Sequence, residues 1–204
     1  MITFYHASFS CSLAVKAALT ACGAQFETQL VNLGEGEHLA PEFLKINPMG
    51  KVPAIKVGGA VLTEGAAINL FIAEKYPNAQ LMPENGSIEK ANALKWLLYM
   101  YGTLHPAFSR VFFPRRYGEG TVKSVAETEV HNILAIIDQQ LSVYSFIAGD
   151  DLTLADLYLM TVIHWEKVLE KPIIENYQNI AKFEQRMFAA PVIGDVFKDE
   201  YSAK

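Results

Sequence analysis

The chain has 204 residues, enough for one large domain or two small ones. Hydrophobic residues make up 51% and charged residues 19%, which supplies a sizeable core and excludes wholesale disorder. With 17 Lys plus Arg against 22 Asp plus Glu, the net charge of −5 argues against nucleic acid and against an anionic membrane surface as partners. No apolar run reaches the roughly eighteen residues of a membrane span, and the opening MITFYHASFS lacks the pattern of a secretory signal, so the expected location is the cytoplasm. The cysteines are Cys11 and Cys22. On one helix they would lie about 16 Å apart, too far for a disulfide, so both are expected reduced.

Taken in chain order, Ile2 to His6 alternates as a short strand, with Phe4 on one face and Thr3 and Tyr5 on the other. Leu13, Ala14, Ala17, Ala18 and Ala21 follow at helical spacing, and Gly23 supplies a C-terminal stop. Phe26 to Val31 reads as a second strand, which makes a βαβ unit with parallel strands. A Gly/Glu loop at 34–37 and the turn Asn47-Pro48-Met49-Gly50 come next. Val52 to Val57 and Ala60 to Leu62 form a hairpin, with Gly58-Gly59 providing the positive φ of its turn. Glu64-Gly65 opens a helix bearing Ile68, Ile72 and Tyr76, which Pro77 ends.

Residues 77–86, with two prolines and two asparagines, read as a linker. Beyond Ser87 helical patterns replace strands, over 87–117, 122–143, 154–169 and 178–190. Thr153-Leu154-Ala155-Asp156 matches a capping box, with Asp in the usual Glu position. The helix after it is apolar nearly all round and therefore expected to be central and buried. The residues predict an α/β domain at 1–78, a linker at 79–86 and an all-helical domain at 87–204. The order β-α-β, loop, hairpin, helix has the topology of a thioredoxin-like fold.

These residues resemble the cytosolic glutathione S-transferases over essentially the whole chain. Asn47 to Ala54 is similar to the family's turn before its third strand. Leu62-Thr63-Glu64-Gly65-Ala66-Ala67-Ile68 is similar to its glutathione-binding strand-to-helix turn, and Leu152 to Asp156 to the capping box of its central helix. Cys11-Ser12-Leu13-Ala14 after the first strand, Leu104-His105, and the Glu-Gly pair at 64–65 resemble the bacterial beta class most. The resemblance implies a thioredoxin-like domain joined to a helical-bundle domain, glutathione as co-substrate, a small hydrophobic electrophile as second substrate, and a homodimer.

It also assigns roles, each beside a plainer reading. Cys11 would contact the glutathione sulfur, helped by a helix N-terminus that favours its thiolate; otherwise it is a small buried hydrophobe. Ser10 and Ser12 are rival donors, and Cys22 is structural. Val52 would present its backbone to glutathione beside Pro53, which the resembling fold holds cis; otherwise Pro53 is an ordinary turn proline. Glu64 would take the γ-glutamyl ammonium and the N–H groups near Gly65 its carboxylate; otherwise Glu64 complements the helix dipole.

His105, on a stripe with Leu98, Tyr101, Phe108 and Phe112, would stand by the sulfur; otherwise the stripe is core and His105 a hydrogen-bonded core residue. Leu98 and Gly102 fall where glutathione contacts are implied, with Leu98 in the place of an asparagine. Phe9, Tyr101, Phe108, Phe112 and Trp165 would line an apolar substrate pocket or serve as core. The acidic 34–37 loop and Pro106 depart from the beta-class pattern, which has basic residues there. Nothing in the sequence has the spacing of a metal site, and His6, His38, His131 and His164 stand isolated.

The function expected is conjugation of the glutathione thiolate to small electrophiles, with thiol–disulfide exchange through Cys11 as an added capacity. A glutathione-dependent reductase or lyase, and a non-catalytic binding module, are the alternatives.

Overall fold

The computed structural model describes residues 1–202. The strands are β1 (Ile2–His6), β2 (Phe26–Leu30), β3 (Ala54–Val57) and β4 (Ala60–Thr63). The helices are α1 (Leu13–Ala21), α2 (Pro41–Leu44), α3 (Gly65–Lys75), α4 (Ile88–Tyr99), α5 (His105–Phe112), α6 (Val122–Leu141), α7 (Leu154–Ile163), α8 (Ile173–Asn176), α9 (Gln178–Ala189) and α10 (Ile193–Ser202). The chain divides into two compact units.

Unit 1 holds residues 1–81 and the segment from Ala190 onward. Its sheet has the order β2-β1-β3-β4, with β1 parallel to β2 and antiparallel to β3, and β3 antiparallel to β4. The predicted βαβ unit and the Gly58-Gly59 hairpin are both present, and both glycines take positive φ (55° and 88°). Period-two alternation in β1 buries Ile2, Phe4 and His6. Tyr5, from the other face, packs with Ala7, Val31, Phe43 of α2 and Val52. Helix α1 packs against α3 and against α10.

That last contact corrects the expected domain boundary. Residues 87–204 do not form one helical body: the C-terminal segment returns to unit 1, and the last two of those residues lie outside the described ones. Ile193, Val196 and Phe197 bury an apolar face there, and Glu200 on the same face is 5% exposed.

Unit 2, residues 82–189, is helical. Its α7 is buried at every position, as its all-round apolar pattern requires. The capping box is realised: Thr153 N–H and Oγ1 donate to Asp156 Oδ2 at 2.8 and 2.9 Å, and Ile147 N–H donates to Oδ1 at 2.7 Å. The long helix expected over 87–117 is interrupted. A π-helical segment, Met100–Leu104, separates α4 from α5, and Pro106 stands in the first turn of α5. A proline there lacks the N–H that would continue the ladder, and a wider turn upstream accommodates it. The helix predicted over 154–169 likewise ends at Ile163 and continues as a 3₁₀ segment, His164–Val168.

Candidate active site

In unit 1 the segment between β1 and α1 is fixed by its own polar groups. Ser10 Oγ donates to the carbonyl of Ala7 at 2.7 Å, and the N–H of Ala7 donates to Ser12 Oγ at 3.2 Å. The two hydroxyls lie 2.6 Å apart, and Ser12 Oγ is 2.7 Å from His6 Nδ1. Both rival serines are thus engaged inside the loop, and Ser12 is fully buried. His6, expected to stand isolated, also has Nε2 3.5 Å from Glu200 Oε2. Glu200 further receives the N–H of Phe9 at 2.8 Å and Lys16 Nζ at 3.2 Å. Phe9 takes a left-handed conformation (φ 57°), which an aromatic residue holds only when its surroundings fix it.

Cys11 leaves this loop toward β3. Its Sγ donates to the carbonyl of Val52 at 3.4 Å, and the Val52–Pro53 peptide bond is cis. The negative charge of Glu64 and the positive charge of Lys51 both act on the thiol. The structure therefore gathers Cys11, Val52, Pro53 and Glu64 at one place in unit 1. Gly65 begins α3 behind Glu64, which holds φ 67°, outside the usual range for a residue with a side chain. Because Glu64 is the residue before α3, the first N–H groups of that helix, from Gly65 on, lack partners within it.

At Cys11 burial works against the thiolate that a helix N-terminus favours. Burial pushes its thiol up to about 12; the loop's own N–H pulls the other way, Glu64 raises it further and Lys51 lowers it. The residue retains some exposed surface, but the sulfur is desolvated on its protein side, and that outweighs the helix N-terminus two residues on. The raised pKa favours the protonated thiol, in keeping with its contact to the Val52 carbonyl. Cys22 is likewise a free thiol raised by burial, to about 11.

The acidic loop is held by hydrogen bonds of its own. Glu37 accepts the N–H of Asn32 at 2.7 Å, and Asn32 Oδ1 accepts those of Gly34 and Glu35.

In unit 2 the predicted aromatic stripe is gathered around two residues. Tyr101 stacks on Tyr158 with centroids 3.6 Å apart, and His105 Nδ1 lies 2.5 Å from the Tyr158 hydroxyl. Trp165 meets His105, Phe108 and Phe112 edge-on, at 4.9, 5.7 and 5.6 Å. Phe108 is fully buried, so it is core. Tyr101, His105 and Phe112 keep partial exposure. Leu98 is 55% exposed and Gly102 is exposed, so the stripe does not extend evenly across the π-helical segment. Phe9, 49% exposed, belongs to unit 1.

A model of the glutathione S-transferase N-terminal domain matches residues 1–74, and one of the C-terminal domain matches residues 100–191. The chain belongs to the glutathione S-transferase family. It is 32% identical over 193 residues to the glutathione S-transferase GstA of Escherichia coli O157:H7, covering 94% of each. A beta-class glutathione S-transferase of Sphingomonas chungbukensis superposes with a TM-score of 0.87 at 32% identity, over 97% of this chain and 98% of that one. A sphingomonad glutathione S-transferase complexed with glutathione gives 0.88 at 31%, over 98% and 100%.

Within this glutathione S-transferase, three residues went unread as site elements. Lys51 brings positive charge to Cys11 from the turn directly before the cis peptide, and its place in the Asn47 to Ala54 motif was a signal for it. Glu200 and Tyr158 had none, because each acts through a partner distant in sequence. Among the described residues no group of three or more His, Cys, Asp or Glu could hold a metal ion. No helix among them is long and apolar enough to cross a membrane.

Proposed function

We propose that the protein is a glutathione transferase that adds the glutathione sulfur to small hydrophobic electrophiles. One observation carries the reading: the Cys11 thiol donates to the Val52 carbonyl within reach of the charge of Glu64, which gathers a sulfur, a strand-end backbone and a carboxylate at one place. In this reading the Val52 backbone pairs with the cysteinyl part of glutathione as a short added strand. Glu64 takes the γ-glutamyl ammonium, and the N–H groups at the start of α3 take its carboxylate. Lys51 offsets the acidic character of the neighbouring loop toward the remaining carboxylate. Cys11, held protonated, donates to the glutathione sulfur and lowers the pKa of that thiol. His105 accepts the thiol proton, and the aromatic face of unit 2 receives the electrophile.

The thiolate then attacks an electrophilic carbon. A C–S bond forms, and the leaving group departs with its electron pair. The proton lost by glutathione resides on His105 until it passes to water. A homodimer in the cytoplasm, and a part in detoxification, belong to the same proposal.

The reductase or lyase reading needs Cys11 as a nucleophile, which its raised pKa disfavours. Chlorodinitrobenzene conjugation assayed beside reduction of a small mixed disulfide separates the two. Conjugation that survives Cys11→Ala supports the transferase. Disulfide reduction without conjugation, abolished by Cys11→Ala, contradicts it.

A further inference from the structure

Away from these residues, unit 2 contains a cavity of about 510 Å³ between α6 and the chain around α8. That is a volume typical of small-molecule sites. Its wall is rich in hydrogen-bond acceptors. Ser124 Oγ donates to the Thr121 carbonyl and Thr128 Oγ1 to the Ser124 carbonyl, each at 3.0 Å, so both hydroxyls offer lone pairs to anything else. Asn176 Nδ2 donates to the Pro172 carbonyl at 2.6 Å, which leaves its side-chain oxygen as acceptor beside one amide N–H.

Tyr177 has one phenolic proton, and its hydroxyl donates it to the His131 carbonyl at 2.9 Å. His131 Nδ1, 3.0 Å from the same oxygen, must then carry its own proton, and the neutral ring keeps its lone pair on Nε2. Burial, and after it the charge of Lys171, lower the His131 pKa and keep that ring neutral, with the charge of Glu127 opposing them.

Two carboxylates complete the wall. Glu127 is 8% exposed, and its Oε1 is buried without a hydrogen-bond donor. Lys123 Nζ, 3.6 Å away and half exposed, balances its charge without supplying that bond. A buried carboxylate oxygen left so is costly unless a ligand or water donates to it. Glu170 adds a second carboxylate from an exposed position. Lys171 is the cation in the wall, and the neutral amide of Asn132 adds both a donor and an acceptor.

We propose that this cavity binds a small organic polyamine, a chain of ammonium groups that offers N–H donors and positive charge and no acceptors. The acceptors of Ser124, Thr128, His131 and Asn176 match its N–H groups and the carboxylates of Glu127 and Glu170 its charge, and the site shares no residue with the one assigned to glutathione.

The test is titration calorimetry of the full-length protein with spermidine at physiological salt, with choline as a cation that has no N–H donor. One saturable site is expected. Glu127→Gln should weaken it about tenfold or more, and Glu170→Gln, at an exposed position that folding tolerates, about threefold. Glu42→Gln, an exposed carboxylate of unit 1, should leave it unchanged, and choline should give no saturable heat. Absence of saturable spermidine binding at millimolar concentration overturns the proposal. So does equal binding of choline, or an equal loss in Glu42→Gln and Glu170→Gln, since either would mean diffuse attraction to an acidic protein.

Discussion

The backbone N–H of Phe9 donates to Oε1 of Glu200 at 2.8 Å across 191 positions of sequence. The carboxylate of the last helix thereby holds the loop that carries Cys11. Burial alone would raise the Glu200 pKa, but hydrogen bonds from His6 and Phe9, with the charges of His6 and Lys16, bring it down from 4.5 to about 2. A depressed folded-state pKa means the contribution is present above the unfolded value of 4.5 and is lost as pH falls through about 2. The shift corresponds to roughly 3 kcal/mol. Glu200→Gln should lower the unfolding free energy by about that amount at pH 7 and flatten its dependence on pH over that acid range. Urea unfolding of both proteins against pH measures this; parallel curves would remove Glu200 from the support of the loop.

Asp156 acts with the opposite sign. Burial raises its pKa from 3.8 to about 6, against the hydrogen bonds from Ile147 and Thr153. The stabilisation from this titration is fully present below pH 3.8 and is lost as pH rises through about 6. Asp156→Ala removes three acceptor contacts and should cost about 2–4 kcal/mol at neutral pH, measurable as a lowered Tm. A Tm within a degree of wild type would contradict the role given to the capping box.

Cys11 should be slow to alkylate. A thiol near 12 holds about three thousandfold less thiolate at pH 7 than a free cysteine near 8.5. Iodoacetamide labelling followed by mass spectrometry should show Cys11 lagging a free-cysteine peptide by that order, and oxidised glutathione should leave little mixed disulfide. Rapid labelling at neutral pH would restore the thiolate reading.

Much of unit 1 was legible because its signals are local. Period-two alternation gave β1, the Gly58-Gly59 pair gave the hairpin, and Glu64-Gly65 marked the start of α3. The Thr153–Asp156 box is equally local and was read correctly. The π-helical segment was not legible, since an i to i+5 turn leaves no mark on a 3.6-residue pattern. Helix α10 was missed because its apolar stripe is short and ends on Glu200, a buried charge whose partners lie at the other end of the chain. The environment of the Cys11 thiol is illegible for a related reason. A helix start can be seen in sequence, whereas the desolvation that overrides it depends on β3 packing beside it.

His105 is the proton acceptor in the proposed reaction. His105→Gln should reduce kcat/KM for chlorodinitrobenzene by about a hundredfold, with kcat falling more than the glutathione KM rises. Tyr158→Phe keeps the ring stacked on Tyr101 but removes the hydroxyl 2.5 Å from His105 Nδ1. It should cause a smaller loss and move the acid limb of the pH–rate profile. Steady-state kinetics from pH 5 to 9 reads both; wild-type rates in His105→Gln would reassign the proton acceptor.

The most direct measurement is titration calorimetry of glutathione into the wild-type protein and Glu64→Gln. Saturable wild-type binding, weakened about tenfold or more in Glu64→Gln, is the result that the geometry at Val52, Glu64 and the start of α3 requires. No binding at millimolar glutathione, or equal binding by the two proteins, would contradict it.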